Sequence, residues 1–460
     1  MYVCLVTLLN RVVELNLLRD ALARERRQFL VVYGRRRCGK STLLRQLDPA
    51  TTSYSLAVEG EPALQRQLLA RQLSERFPGF ALATYPTWDA LLRSLSARTQ
   101  SRFTLVLDEF PYLVRAAPEL ASTLQALLDD RERVPFDLIV CGSSQQMMED
   151  AVLAASAPLY GRADGIVKVE PLAIGYLPEA FAVGSPAEAI EEYAVWGGVP
   201  RYWELRERYG SLEEAVRSLL LTSTGLLRDE PRRLLRDDLS HLSSPISLLA
   251  VIADGSHRVS EIGGRLGKTS ADLTRPLSRL VQLGYLRKEI PFEESTRNSK
   301  RTLYTVADPF VRFYYRYILP EASRIEAGRG GEVWADVAGS FPGYVGQTWE
   351  ELCRRAVRAG LLGSEFDRCE RWWGTTRARE KVEIDGVARS RDGRRLLLLE
   401  CKWSSGVDVE REIARLRSVA PALPFYKGEE VVVAVGMRAD GVAAEPNAVI
   451  TPELALRGLR

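Results

Sequence analysis

The chain has 460 residues, long for a single hydrophobic core, so two to four domains are expected. Its hydrophobic share of 46% and charged share of 27% are those of an ordinary globular protein. The 63 basic residues nearly balance the 60 acidic ones, which excludes a strongly basic whole-molecule field; any nucleic-acid surface must be local.

Six cysteines, at 4, 38, 141, 353, 369 and 401, include no C-x-x-C pair, and there are only two histidines. That argues against a zinc site and a disulfide scaffold and makes a reducing cytoplasm the expected compartment. The apolar start, Tyr2 to Leu9, is too short to cross a bilayer and follows no basic segment, and no other run reaches membrane length; no membrane partner is expected.

In chain order, Asn10 is the expected N-cap of a helix with Leu15, Leu18, Ala21 and Leu22 on one face. The apolar run Phe29 to Tyr33 then leads into Gly34-Arg35-Arg36-Arg37-Cys38-Gly39-Lys40-Ser41, with Thr42 and Leu43-Leu44 continuing as a helix. This is a phosphate-binding loop in its required setting, strand before and helix after. The glycines let successive N–H groups face a phosphate; Lys40 adds a charge for the β- and γ-phosphates, and the Ser41 hydroxyl can ligate Mg²⁺. The cofactors expected are ATP (or ADP) and Mg²⁺.

Four further strand-like runs, at 54–58, 103–107, 136–141 and 166–169, alternate mostly with helical stretches, the pattern of a doubly wound parallel sheet. Asp108-Glu109 ends the run at 103–107, where such a sheet places its ligands. Asp108 is expected to orient Mg²⁺ through its water shell and Glu109 to polarise the attacking water. Ser143, in Gly142-Ser143-Ser144 after the next run, puts a hydroxyl at the same edge as a sensor of the γ-phosphate.

Asn10-Arg11, the loop at 34–41, Asp108-Glu109-Phe110-Pro111-Tyr112-Leu113, Gly142-Ser143-Ser144, Pro158-Leu159-Tyr160-Gly161-Arg162 and Trp196-Gly197-Gly198-Val199-Pro200-Arg201-Tyr202 together resemble the archaeal-type prokaryotic ATPases, relatives of the AAA+ and STAND switches. The resemblance covers residues 1 to about 205. It implies that Arg162 is an arginine finger or phosphate sensor, acting in cis or across a subunit contact in a homo-oligomer. It also implies that the turn at Gly197 to Pro200 is a hinge for a small helical lid.

Residues 176–240 read as that helical lid. From Pro245, three short helices (246–253, 259–266, 273–283) and two strands (285–288, 302–306) match a winged helix-turn-helix. Between 258 and 301 there are ten basic and five acidic residues, with Arg275 and Arg279 on the third helix and Arg297, Lys300 and Arg301 at the wing tip; this excess suits a DNA backbone. Pro276 is expected to interrupt the third helix.

A Gly- and charge-rich stretch, Glu326 to Glu332, reads as a linker into the last domain. There, Asp392-Gly393 between strand-formers marks a hairpin. If Arg391 opposes Arg394, paired positions sum to a constant, Asp385 faces Glu400, Glu383 faces Lys402, and all four side chains share one face. Three acids and a lysine so placed make a metal site, with Lys402 holding a water or a phosphate. Upstream, Trp349, Leu352, Cys353, Ala356 and Val357 form an apolar helical stripe; Glu350 borders it, whereas Glu351 points roughly opposite.

A helix Glu, then Asp, then Glu-x-Lys is similar to the PD-(D/E)xK restriction-endonuclease-like superfamily over residues 340 to about 437, with 431–435 as a later core strand. The resemblance implies Asp385 and Glu400 as Mg²⁺ ligands, Lys402 as the water- or transition-state-positioning group and Glu350 as an accessory acid.

The expected architecture is therefore α/β: a P-loop ATPase domain (1–175), a helical lid (176–240), a winged helix-turn-helix (241–320) and a restriction-endonuclease-like domain (321–460). The expected function is an ATP-hydrolysing switch joined to a metal-dependent DNA nuclease-like effector. The alternative is a nucleotide-regulated DNA- or protein-binding regulator whose last domain is inactive.

Overall fold

The computed structural model describes residues 9–130, 134–239, 241–295, 301–438 and 449–460. The described chain gathers into two compact units, one of residues 9–172 with 236–239 and one of residues 173–235 with the rest from 241 onward.

The first unit is organised by a five-stranded parallel sheet in the order β2-β3-β4-β1-β5. Its strands are β1 (Phe29–Tyr33), β2 (Thr52–Leu56), β3 (Thr104–Asp108), β4 (Asp137–Gly142) and β5 (Gly165–Lys168). β1, β3 and β4 are central and almost wholly buried, as their unbroken apolar runs require when helices cover both faces. The helices α1 (Val12–Leu22) and α2 (Lys40–Leu44) flank β1 in sequence. Asn10 is not the N-cap of α1. Arg11 holds that position, and both residues adopt left-handed backbone (φ 59° and 81°).

The second unit opens with short helices. Among them, Pro186–Trp196 and Pro200–Arg206 meet at the Gly197 turn, where φ is 60°. That turn is packed: Trp196, Tyr202 and Trp203 are fully buried around it, and Trp203 Nε1 donates to Gly197 O at 2.7 Å. Next come α3 (Glu230–Asp238), whose last residues belong to the first unit, then α4 (Ser243–Ala253), α5 (Val259–Leu266) and α6 (Ser270–Gln282). β6 (Leu286–Glu289) and β7 (Leu303–Val306) follow as an antiparallel pair. Thr269 and Asp272 form a reciprocal capping box at the start of α6. Contrary to expectation, α6 runs unbroken through Pro276; burial of Leu273, Leu277 and Leu280 outweighs the lost main-chain bond. The wing-tip residues Arg297 and Lys300 lie outside the described residues.

The stretch expected as a linker is largely helical. Ala322–Glu326 is one helix, and α7 (Gly330–Arg358) begins two residues before Glu332. The apolar stripe on α7 is buried: Trp349, Leu352, Cys353, Ala356 and Val357 all lie within 1% of full burial. It faces a second sheet, ordered β12-β11-β10-β9-β8. Its strands are β8 (Glu370–Thr375), β9 (Lys381–Arg389), β10 (Arg395–Lys402), β11 (Glu430–Met437) and β12 (Val449–Ile450). α8 (Val409–Val419) follows β10.

The constant-sum register holds where β9 and β10 pair, from Leu396 opposite Arg389 to Leu399 opposite Gly386. The turn is wider than expected. Ser390 N donates to Arg395 O, so Arg391 to Arg394 all lie in the loop, with Gly393 at φ 72°.

Candidate functional sites

The first site is built from main chain. Gly34 has φ 147° and lies so close to β5's continuation that a Cβ there would meet Val169 O at 2.2 Å, so only glycine fits. Arg37 (φ 67°) and Gly39 (φ 90°) are also left-handed, which curls the loop into a nest, and a Cβ on Gly39 would have nothing within 4 Å. Lys40 Nζ donates to Gly34 O (2.8 Å) and Arg35 O (3.0 Å), closing the loop on itself. Cys38 is fully buried, and Thr42 is half-buried on α2.

Arg11 is a residue of this site that sequence reasoning passed over. Its guanidinium is buried and donates to Cys38 O (3.0 Å) and Glu170 O (2.5 Å), so it pins the loop to the end of β5. The signal was present in the Asn10-Arg11 pair, but its role needs residues 27 and 159 positions apart to meet.

Asp108 is buried at the end of β3. Its Oδ2 accepts from Ser41 Oγ at 2.6 Å and from the Tyr54 hydroxyl, and its Oδ1 accepts from Glu109 N at 2.9 Å. Burial, then the Asp108 charge, pushes the Tyr54 phenol up, so it stays a donor. Glu109 is left-handed (φ 54°), which turns its side chain to Ser143, whose Oγ donates to Glu109 Oε2 at 3.0 Å. Burial and then the Asp108 charge raise the Glu109 pKa, against Lys40 and Ser143. A base so placed loses its charge at a higher pH than an ordinary glutamate.

Ser41, Asp108, Glu109 and Ser143 thus form one connected cluster beside Lys40. The hydroxyl–carboxylate contact of Ser41 with Asp108 fits a hydrated Mg²⁺, which these two residues would hold and which would neutralise phosphate charge.

Two acids from the end of α3 join this unit. Asp237 Oδ2 accepts from Arg36 Nη1 at 2.8 Å, and Asp238 Oδ1 accepts from Gln145 N, two residues after Ser143, at 3.1 Å. Arg162 is engaged differently: it donates to both carboxylate oxygens of Asp129 (2.8 and 3.0 Å) and to Pro158 O (3.1 Å).

The second site lies where β9 and β10 part. Beyond Gly386 and Leu399 the ladder gives way to a side chain, with Cys401 N donating to Asp385 Oδ2 at 2.8 Å. Glu400, almost buried, is clamped by Lys402 Nζ on Oε1 and Arg415 Nη2 on Oε2, each at 2.7 Å. Arg415, on α8, was not anticipated; it comes from outside the short motif and only the fold delivers it. Asp385 is pushed up to about 7 by burial, then by the charges of Glu350 and Glu400. Burial also raises Glu350, against Arg371 and Arg354.

The expected three-acid group on one face is not formed. Glu383 pairs with Arg371, and among the described residues no set of three or more His, Cys, Asp or Glu is close enough to hold a metal ion together. The remaining set, Asp385 with Glu400, fits Mg²⁺ as one or two carboxylates with retained waters, and the mutual repulsion felt at Asp385 is what a cation would relieve. Glu351 also departs from expectation. It does not point away from the protein: despite burial, Arg287, Arg354 and Arg358 hold it down to about 2.

The five cysteines among the described residues are all buried, and none forms a disulfide. No helix among the described residues is long and apolar enough to cross a membrane.

Comparison with known proteins agrees with the first site. Residues 8–204 match a family described as an ATPase domain predominantly from Archaea, and residues 314–415 match one described as archaeal and bacterial proteins of unknown function. The chain is 30% identical to the uncharacterised protein MJECL04 of Methanocaldococcus jannaschii over 411 residues, 86% of this chain and 87% of that one. Among solved structures, the Walker-type ATPase PABY2304 of Pyrococcus abyssi shares its fold, with a TM-score of 0.52 at 22% identity, covering 67% of this chain and 96% of that one. The chain belongs to the archaeal-type P-loop ATPase family.

Proposed function

We propose that this chain is an ATP-binding and ATP-hydrolysing switch whose nucleotide state governs a metal-dependent, nuclease-like effector at its C-terminal end. The division of labour follows the expected boundaries: ATPase (1–175), lid (176–240), winged helix-turn-helix (241–320) and effector (321–460). The nucleotide is held by 34–42, Mg²⁺ by Ser41 and Asp108, the attacking water by Glu109, and the γ-phosphate is read by Ser143. Arg162 serves a neighbouring subunit in an oligomer, because in this chain it is paired with Asp129. A reducing cytoplasm suits the buried thiols.

In the effector, Asp385 and Glu400 hold Mg²⁺, Lys402 positions the water or the scissile phosphate, and Glu350 is an accessory acid. The observation that carries this reading is the Asp385 carboxylate, placed on β9 where its ladder with β10 stops, accepting from Cys401 N and lying within electrostatic reach of Glu350 and Glu400. Carboxylates kept together out of water without full compensation mark a site poised for a cation. DNA contact is assigned to α6, where Arg275 is exposed. The wing arginines are less available: Arg287 pairs with Glu351 and Arg301 with Glu294.

A second reading has its own support. The double clamp on Glu400 by Lys402 and Arg415 leaves its carboxylate neutralised without metal, as in a binding domain that no longer cleaves. Incubation of single- and double-stranded DNA with Mg²⁺ or Mn²⁺, with and without ATP, separates the two. Cleavage by the wild type that is lost in Lys402→Ala supports the effector; ATP turnover without cleavage under any condition supports the regulator.

A further inference from the structure

The paired strands β6 and β7 do not stand apart from the second sheet. Phe292, three residues past β6, is buried in the same cluster as Trp372, Leu398, Leu416 and Phe425, with its ring 5.1 Å from that of Phe425. Its N–H donates to Arg371 O on β8 at 2.9 Å. The segment after β6 therefore forms part of the core on which the Asp385 site is built.

A chain of charged contacts runs from β6 to that site. Arg287 Nη1 on β6 meets Glu351 Oε1 on α7 at 2.6 Å. The other oxygen of Glu351 accepts from Arg354 Nη2 at 3.2 Å. Arg354, one turn further along α7 and 5% exposed, donates through Nη1 to the main-chain carbonyl of Asp385 at 2.7 Å. That carbonyl lies where the β9–β10 ladder stops, so Arg354 supplies a bond that the ladder does not.

A second contact runs beside the first. Arg371 on β8 reaches Glu289 on β6 at 3.4 Å and also pairs with Glu383 on β9.

We infer that Arg354 is a positioning residue for Asp385 and that Arg287 on β6 sets it through Glu351, so the acid pair is complete only while β6 is seated on α7. A guanidinium suits the task because its two terminal nitrogens, Nη2 and Nη1, reach the Glu351 carboxylate and the Asp385 carbonyl at once from one rigid fork. Asp385 is fixed from two sides, Arg354 holding its carbonyl and Cys401 N–H holding its carboxylate. A ligand that draws β6 off α7 loosens the first hold and lets the second follow. The inference extends the reading of Asp385 as part of a cation site, but the geometry of the relay is testable without any cation.

The test is hydrogen exchange by mass spectrometry on the full chain, read at the Cys401 amide, with a peptide from the centre of β11 as an internal control. Arg287→Glu and Arg354→Lys are expected to speed exchange at Cys401 about tenfold or more with β11 unchanged, while Arg287→Lys, which keeps the ion pair, stays within about twofold of wild type. If Arg287→Glu also deprotects β11, the chain has unfolded and Arg354→Lys carries the test alone. Unchanged exchange at Cys401 in Arg354→Lys, or in an otherwise folded Arg287→Glu, overturns the inference.

A Mn²⁺ titration of the same proteins separates the two ideas. The expected exchange pattern with no Mn²⁺ bound by wild type supports the relay and removes the cation site. Equal Mn²⁺ binding by wild type and Arg287→Glu, with unchanged exchange, removes the relay and keeps the site.

Discussion

Around the phosphate loop the groups that would face a ligand are mostly main-chain atoms, curled by Gly34, Arg37 and Gly39 at positive φ. Around Asp385 they are side chains, delivered by α7, β8, β9, β10 and α8 and already paired with one another. A nest of N–H groups cannot neutralise itself and holds its shape through backbone geometry. A cluster of carboxylates and guanidiniums can, and needs every partner to keep its arrangement. The first site is thus sensitive to few residues and the second to many.

That contrast is broken or sharpened by substitution. In the first site, Glu109→Gln is expected to lower ATP turnover about 10³-fold while ATP still binds, because only the water-polarising carboxylate is lost; single-turnover hydrolysis beside fluorescent-nucleotide binding checks it. Turnover at the wild-type rate would remove Glu109 as the base. Lys40→Ala removes both the phosphate charge and the tie to Gly34 O and Arg35 O, and is expected to weaken ATP binding at least about 100-fold by calorimetry.

In the second site, pH is the lever. The folded-state Asp385 carboxyl sits at about 7, above its ordinary range, so the folded chain keeps a proton that the unfolded chain gives up at lower pH. The stability tied to that proton is present below the unfolded value and is lost as pH rises through about 7. Asp385→Asn, which cannot ionise, should therefore be more stable than wild type at pH 8, by up to about 4 kcal/mol, and nearly equal to it at pH 4. Denaturation at the two pH values checks this; an equal difference at both would mean the carboxyl is not held up. Mn²⁺ binding by wild type should strengthen from pH 6 to 8 for the same reason.

The smallest effect tests whether the first site also has a side-chain lock. Arg36 is held by Asp237. Because that pair is partly exposed, Asp237→Asn should tighten ATP binding by only about two- to fivefold, and ADP less, as one guanidinium is released toward the γ-phosphate.

The phosphate loop was legible because its determinants are contiguous: eight residues fix the turn, and the strand and helix beside them fix its setting. Strand positions were likewise readable from apolar runs, although β2 begins at Thr52 and not Tyr54. The register of the part of β9 and β10 that pairs, 386–389 against 396–399, was legible from the Asp392-Gly393 turn, because a turn widened by one residue on each side keeps the same sum; the expected pairs 385–400 and 383–402 lie beyond the ladder. What the sequence hid was pairing across distance. Arg11 on Cys38 O, Arg415 on Glu400 and Arg354 on Asp385 O each join elements that local patterns treat separately. Glu351 looked solvent-facing on a helical wheel because a wheel omits the neighbour, here Arg287, that covers that side. Pro276 looked disruptive because propensity was weighed without the packing of three leucines.

The coupling of the two sites is tested most directly by one comparison: the rate of Mn²⁺-dependent DNA cleavage, with saturating ATP, for Glu109→Gln beside Lys40→Ala. The first variant is expected to hold ATP and the second to stay largely empty at a concentration that saturates the first. A rate differing by about tenfold or more between them, both falling to background when Lys402→Ala is added, is the expected result. Equal rates would contradict control by nucleotide, and no cleavage by either variant or by wild type would contradict the effector itself.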